Sequence, residues 1–177
     1  MRRQLKDIIV PLFITLLILV VLEITSTALL PAFGANKYII PFNILIVLYL
    51  GFKLETPYLA VLILIVQYFH SFFSIEGWEL GTIAGIAICI VISYLRDVLH
   101  FSSAIITMTV TQIFQLVWLV IVSGLFYLKT SNTTFLIEKM WRFIPESIAI
   151  SIMAPFFFSI FDRIWGTSSD GMLGEDV

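Results

Sequence analysis

A few polar side chains lie inside otherwise apolar stretches of this 177-residue chain, and they are the residues that could do chemistry. Glu23 is a carboxylate late in the first stretch, Asn43 an amide near the start of the second, and Gln67 and His70 lie one helical turn apart in the third. Because a carboxylate in hydrocarbon is unfavourable, Glu23 should face the helix bundle, a polar cavity or the headgroup zone. The amides and the imidazole either line a shared polar cavity or hydrogen-bond to neighbouring backbone.

The sequence lacks the usual catalytic and metal-binding arrangements. There is no HExxH helix, no GxSxG turn and no GxxxxGK[ST] loop, and the single cysteine, Cys89, excludes a CxxC pair. His70 and His100 fall on opposite faces of the membrane in the topology derived below, so they cannot share a metal. An ion-coupled carrier should show several intramembrane charges, and only Glu23 is available. We therefore expect no enzymatic activity, no cofactor and no metal.

Small side chains recur every four residues through the fourth apolar stretch, at Gly77, Gly81, Gly85, Cys89 and Ser93. This spacing places them on one helical face, which another helix can approach closely. That helix belongs either to the same chain or to a partner protein. The candidate partner-binding residues are those of this stripe and the polar residues that could share a groove with it: Asn43, Gln67, His70, Gly77, Gly81 and Gly85.

The elements that must position these residues are predicted to be transmembrane helices. Apolar residues make up 60% of the chain and charged residues only 12%, about half the charged fraction of a soluble domain. Since a helix crosses the hydrocarbon with about 20 apolar residues, six spans are predicted, near 8–30, 37–54, 57–75, 80–99, 102–128 and 144–164. The fold class is an all-α membrane protein of six transmembrane helices with short loops. Residues 1–165 form one membrane domain, and 166–177 a flexible cytoplasmic tail.

Basic residues set the predicted orientation. Arg2, Arg3 and Lys6 precede the first span and favour a cytoplasmic N-terminus, which with six spans makes the C-terminus cytoplasmic too. A cleaved signal peptide is the alternative, since Ser26 to Ala28 supplies small residues after an apolar stretch. The formal charge of −2 gives no reason to expect a nucleic-acid partner.

Four further predictions concern the ends of the predicted spans. Pro145 and Glu146 suit the N-terminus of the sixth helix. The loop Lys129 to Phe143 forms either an interfacial helix or a simple turn at the lipid surface. The charge pairs Arg96-Asp97 and Asp162-Arg163 could meet across the cytoplasmic rim. The second span, containing Pro41, is short enough to be re-entrant.

Two segments of the chain resemble the rod shape-determining protein MreD family. Pro41-Phe42-Asn43-Ile44-Leu45-Ile46-Val47-Leu48-Tyr49 resembles the family's second-span pattern, in which a proline and a small polar residue open an aliphatic run ending near a tyrosine. Glu76-Gly77-Trp78-Glu79-Leu80-Gly81 resembles its glycine signature. The chain departs from the family at His70-Ser71-Phe72-Phe73, where members commonly carry an acidic residue and glycines.

The resemblance implies a non-catalytic scaffold in the bacterial inner membrane, within the complex that elongates the cell wall. Its implied partners are the bitopic protein MreC and, through it, the actin-like filament protein and the peptidoglycan polymerase pair. The family is also similar in fold to the substrate-binding subunits of energy-coupling-factor vitamin transporters. A small-solute binding subunit is therefore the alternative function.

Overall fold

The computed structural model describes residues 5–32, 34, 38, 40–54, 56–74, 77–95, 103–130 and 133–166. This part of the chain is all-helical. Its six helices are α1 (Leu5–Ala32), α2 (Phe42–Lys53), α3 (Leu59–His70), α4 (Trp78–Leu95), α5 (Ala104–Thr130) and α6 (Thr133–Trp165). Residues 167–177 of the predicted tail, the basic Arg2 and Arg3, and the Arg96-Asp97 pair lie outside the described residues.

Four of the helices are long and apolar enough to cross a membrane: α1 over Ile8–Ala28, α4, α5, and α6 over Leu136–Trp165. The prediction of a multi-pass membrane protein is confirmed to that extent. By contrast, α2 and α3 have only 12 residues each, or about 18 Å at 1.5 Å per residue. The helical lengths predicted for 37–54 and 57–75 are therefore wrong. Pro41 and Pro57 disfavour helical backbone at the residue before each of them, so neither helix continues backward.

Helix α2 forms the centre of the bundle. Every side chain from Phe42 to Phe52 is buried, and α2 contacts each of the other five helices. Helix α2 can be buried on all sides because no residue from Phe42 to Phe52 is charged. One close approach depends on Gly51, where a Cβ atom would lie 2.8 Å from Cys89 Sγ of α4.

Specific contacts define the helix directions. In the pair α4 and α5, Glu79 contacts Lys129 and Gly85 lies near Trp118, so these helices are antiparallel. Helix α2 is parallel to α6, because Phe42 packs on Phe157 and Tyr49 on Phe161. The C-terminal ends of α2 and α6 thus lie at the same end of the bundle.

The predicted start of the last helix at Pro145 is wrong. Helix α6 begins at Thr133 and contains both Pro145 and Pro155. A proline inside a helix removes one hydrogen bond, but membrane helices tolerate it when neighbouring helices pack around the site. Here α5 packs along α6.

Most of the predicted loop 129–143 is helical, because α5 extends to Thr130 and α6 begins at Thr133. Trp141 in this segment is 73% exposed.

Candidate functional site

Five side-chain positions on α1, α2 and α3 form a polar cluster, here called the α1–α3 cluster: Glu23, Ser26, Asn43, Gln67 and His70. His70 Nδ1 lies 2.8 Å from Glu23 Oε1, which joins α3 to α1. Asn43 Nδ2 donates to Gln67 Oε1 at 3.0 Å, which joins α2 to α3. Ser26 Oγ accepts a hydrogen bond of 3.2 Å from the backbone N–H of Ile40, just before α2.

The three hydrogen bonds of the cluster are neighbours. Glu23 and Ser26 are one turn apart on α1, and Gln67 and His70 one turn apart on α3, so each pair shares a helix face. Ile40 and Asn43 flank the start of α2 and provide the third side of the cluster. For Asn43, Gln67 and His70, the sequence left a shared polar cavity and bonding to neighbouring backbone as alternatives. The bonds that the structure describes instead pair these side chains across helices.

Burial inside the α1–α3 cluster is nearly complete. Glu23, Gln67 and Asn43 are 0%, 1% and 4% exposed, whereas the His70 side chain is 13% exposed. One atom of each of the three most buried residues has no hydrogen-bond partner: Glu23 Oε2, Asn43 Oδ1 and Gln67 Nε2. Because an unpaired buried polar atom is unfavourable, these atoms mark the cluster as a site able to bind a further group.

The glycine stripe of α4 packs against the same chain at the described positions. A Cβ atom at Gly81 would lie 2.3 Å from Gln67 Oε1, and one at Gly85 would lie 2.7 Å from Ile63 Cγ2. Of the two alternatives for this face, contact with a neighbouring helix of the same chain is what occurs here. Any role of Gly81 and Gly85 in binding a partner stays a prediction.

Gly77 has a different structural role, in the turn before α4. It is exposed, its φ angle is 76°, and a Cβ atom there would meet nothing within 4 Å. This left-handed backbone conformation, immediately before α4, favours glycine over other residues. The structure thus brings Asn43, Gln67, His70 and Gly81 into one neighbourhood, with Gly85 one turn farther along α4 and Gly77 in the turn.

A second polar site, here called the Asp162 site, was not predicted from the sequence. Tyr49 Oη donates to Asp162 Oδ1 at 3.1 Å, and Lys53 Nζ lies 3.2 Å from Asp162 Oδ2. Asp162 makes these contacts because α2 ends beside α6. Its expected partner pair, Arg96-Asp97, lies outside the described residues, so that pairing stays a prediction. Tyr49 and Lys53 are one turn apart on α2, and this spacing was the signal that could have revealed the site.

The same end of the bundle carries a bond between α6 and α1. Trp165 Nε1 donates to Thr15 Oγ1 at 3.0 Å, and Thr15 Oγ1 donates to the carbonyl of Pro11 at 2.8 Å. Thr15 is fully buried and Trp165 almost so. The Asp162 site therefore stands at the junction of α1, α2 and α6.

Amides and hydroxyls also link α5 to α6. Gln115 Nε2 donates to Ser151 Oγ at 3.0 Å and contacts the Ser147 carbonyl at 3.4 Å. Gln112 Nε2 donates to Ser147 Oγ, and Ser151 Oγ donates to Gln112 Oε1 at 2.7 Å. Such interhelical bonds help hold helices together where lipid gives no hydrophobic drive between them.

Removing one hydroxyl tests the Asp162 site. Replacing Tyr49 with phenylalanine should lower the free energy of unfolding by about 1.5 kcal/mol, because the buried carboxylate loses a hydrogen bond. Unfolding by SDS in mixed micelles measures the change. Tyr68→Phe is the matched control, since Tyr68 is half-exposed and should tolerate the loss of its hydroxyl. Equal effects of the two substitutions would contradict the assigned bond.

Comparison of the chain with protein-family models, with curated proteins and with solved structures finds no match. Within the described residues, no group of three or more His, Cys, Asp or Glu side chains could hold a metal ion.

Proposed function

We propose that this chain is a non-catalytic membrane scaffold of the bacterial cell-elongation complex, similar to the MreD family, and that it binds an MreC-like bitopic partner. The observation that carries the proposal is that the two segments on which the resemblance rests both pack against one residue, Gln67. Asn43 of the first segment bonds to Gln67, and Gln67 lies against Gly81 of the second. Residues far apart in sequence thus share one packing unit, and this arrangement supports the proposal that the two segments act together.

The packing of the bundle suits a scaffold. Its buried polar side chains bond mainly to one another across helices, in the α1–α3 cluster, the Asp162 site and the α5–α6 network. Cross-helix bonds of this kind fix helix positions. A rigid bundle of this sort presents constant lateral surfaces to a partner's transmembrane helix.

The scaffold crosses the inner membrane six times in this proposal, with both termini cytoplasmic. Support comes from the Asp162 site, because Lys53 at the end of α2 binds Asp162 near the end of α6. The short α2–α3 hairpin therefore reaches the end of the bundle at which α6 stops. The basic cluster Arg2, Arg3 and Lys6 assigns that end to the cytoplasm.

Cysteine labelling tests this topology. In a Cys89→Ala background, a cysteine at Tyr58 in the exposed α2–α3 turn should react with a membrane-impermeant maleimide only after the cytoplasmic face is opened. A cysteine at the exposed Glu79 should react from outside in intact cells. Both sites lie outside the core, so folding should be preserved. Labelling of the two positions from the same side would defeat the six-crossing proposal.

Purification from native membranes tests the function. The tagged chain, extracted in mild detergent, should recover a bitopic MreC-like protein in stoichiometric amount by mass spectrometry. The same eluate should be analysed for small molecules. Recovery of a stoichiometric vitamin-like ligand with an ATPase module, and without a bitopic cell-shape protein, would replace the scaffold proposal by the solute-binding alternative.

Substitutions test the proposed partner-binding residues. A Gly81→Leu, Gly85→Leu double variant should recover less partner, because it disturbs the packing of α4. Gly124→Leu on α5 is the control, since no atom lies near that glycine. Only variants that elute as a single folded peak in size exclusion are compared. If a folded double variant recovers as much partner as the wild type does, Gly81 and Gly85 do not take part in the interface.

A further inference from the structure

The unpaired atoms of the α1–α3 cluster define the chemistry of a ligand. Asn43 Oδ1 is an acceptor, Gln67 Nε2 is a donor, and Glu23 Oε2 is an acceptor when the carboxyl group is ionised. All three belong to side chains that are at least nine-tenths buried. Asn43 bonds to Gln67 and Glu23 bonds to His70. Gln67 and His70 lie one turn apart on α3, so the two pairs are neighbours. A ligand here has to supply hydrogens to two oxygens and accept one from the amide.

We propose that Glu23, Asn43 and Gln67 bind an ordered water molecule inside the helix bundle. Water has two hydrogens to donate, to Glu23 Oε2 and Asn43 Oδ1, and it accepts from Gln67 Nε2. The resulting count of bonds is the usual one, since buried waters make about three hydrogen bonds each. This site is independent of the proposed scaffold function.

Water fits better than the other small ligands. A metal cation requires oxygen ligands, and the amide hydrogens of Gln67 would repel it. An ammonium group has no acceptor for Gln67. Water also suits either ionisation state, because it can accept from a protonated Glu23 and still donate to Asn43. If the oxygen and nitrogen positions of both amides are exchanged, one amide oxygen and one amide nitrogen are again unpaired, so the same ligand is required.

The water connects α1 to the α2–α3 hairpin. Glu23 then has a hydrogen bond on each carboxylate oxygen, one from water and one with His70. Gly81 contributes by leaving room for the Gln67 amide, whose Oε1 would lie 2.3 Å from a Cβ atom at that position. The hydrated site accounts for a fully buried carboxylate that would otherwise keep one oxygen unpaired.

Magnetisation transfer from water to glutamine side-chain amides tests the proposal. The full chain, labelled with ¹⁵N at glutamine side chains, is studied in phospholipid nanodiscs. The sequence contains four glutamines, Gln4, Gln67, Gln112 and Gln115, and Gln67→Leu assigns the signal of interest. Gln112 is the internal control, because both of its amide atoms are paired: Nε2 donates to Ser147 Oγ, and Oε1 accepts from Ser151 Oγ. Any transfer at Gln112, relayed by these hydroxyls, sets the background.

We expect a transfer at Gln67 several times that at Gln112, and its loss in Asn43→Leu. Glu23→Leu removes the other acceptor and should weaken the signal too, which keeps the proposal testable if Asn43→Leu does not fold. Three outcomes would overturn the proposal. They are a signal at Gln67 no stronger than the background, a signal unchanged in a folded Asn43→Leu or Glu23→Leu variant, and a saturable shift of the Gln67 resonance when sodium chloride replaces choline chloride.

Discussion

Replacing His70 with leucine is expected to lower the free energy of unfolding by about 3 kcal/mol, because it leaves the Glu23 carboxyl group buried without its partner. Glu23 has no exposed surface, and its Oε1 lies 2.8 Å from His70 Nδ1. No lysine or arginine contacts this carboxylate among the side-chain ion pairs of the described residues. SDS unfolding in mixed micelles, followed by tryptophan fluorescence, gives the change.

The double variant Glu23→Leu, His70→Leu is the decisive control. Since both polar partners are then replaced by apolar groups, most of the lost stability should return. A single substitution that costs no more than the double one would contradict the pairing. A Glu23→Leu variant as stable as the wild type would show that the carboxyl group has no structural partner in the bundle.

A methyl group added at Gly85 is expected to lower the free energy of unfolding by about 2 kcal/mol, because it overfills the contact of α4 with α2 and α3. In the Gly85→Ala variant, the new Cβ atom would lie 2.7 Å from Ile63 Cγ2 and 3.3 Å from Val47 Cγ1. Both neighbours are buried and branched at Cβ, so neither side chain can rotate away easily. The change is measured by the same SDS titration.

Gly124→Ala on α5 is the matched control for this substitution. No atom lies within 4 Å of a Cβ at that position. Alanine should raise stability there by up to about 1 kcal/mol, because it is the better helix former. The two glycine-to-alanine substitutions should therefore change the free energy of unfolding in opposite directions. A Gly85→Ala variant with unchanged stability would mean that α4 does not pack as closely as described.

The sequence by itself determined the class of the protein and the helical character of its segments. Apolar runs nearly free of charge can satisfy their backbone groups in lipid only as helices, so the helical regions follow from hydropathy alone. The stripe at Gly81 and Gly85 likewise predicted a close helix contact. Such properties depend on local composition and on the periodicity of a single helix, and both can be read along the chain.

The tertiary structure alone decided where the helices end and which polar groups meet. Pro145 looked like a helix start, but α6 passes through it because α5 packs alongside. Glu23 and His70 are 47 residues apart, and Tyr49 and Asp162 are 113 apart. A pairing across such distances depends on how the helices are arranged around α2, and no local pattern specifies that arrangement. The partners of the buried charges were therefore beyond prediction from the sequence.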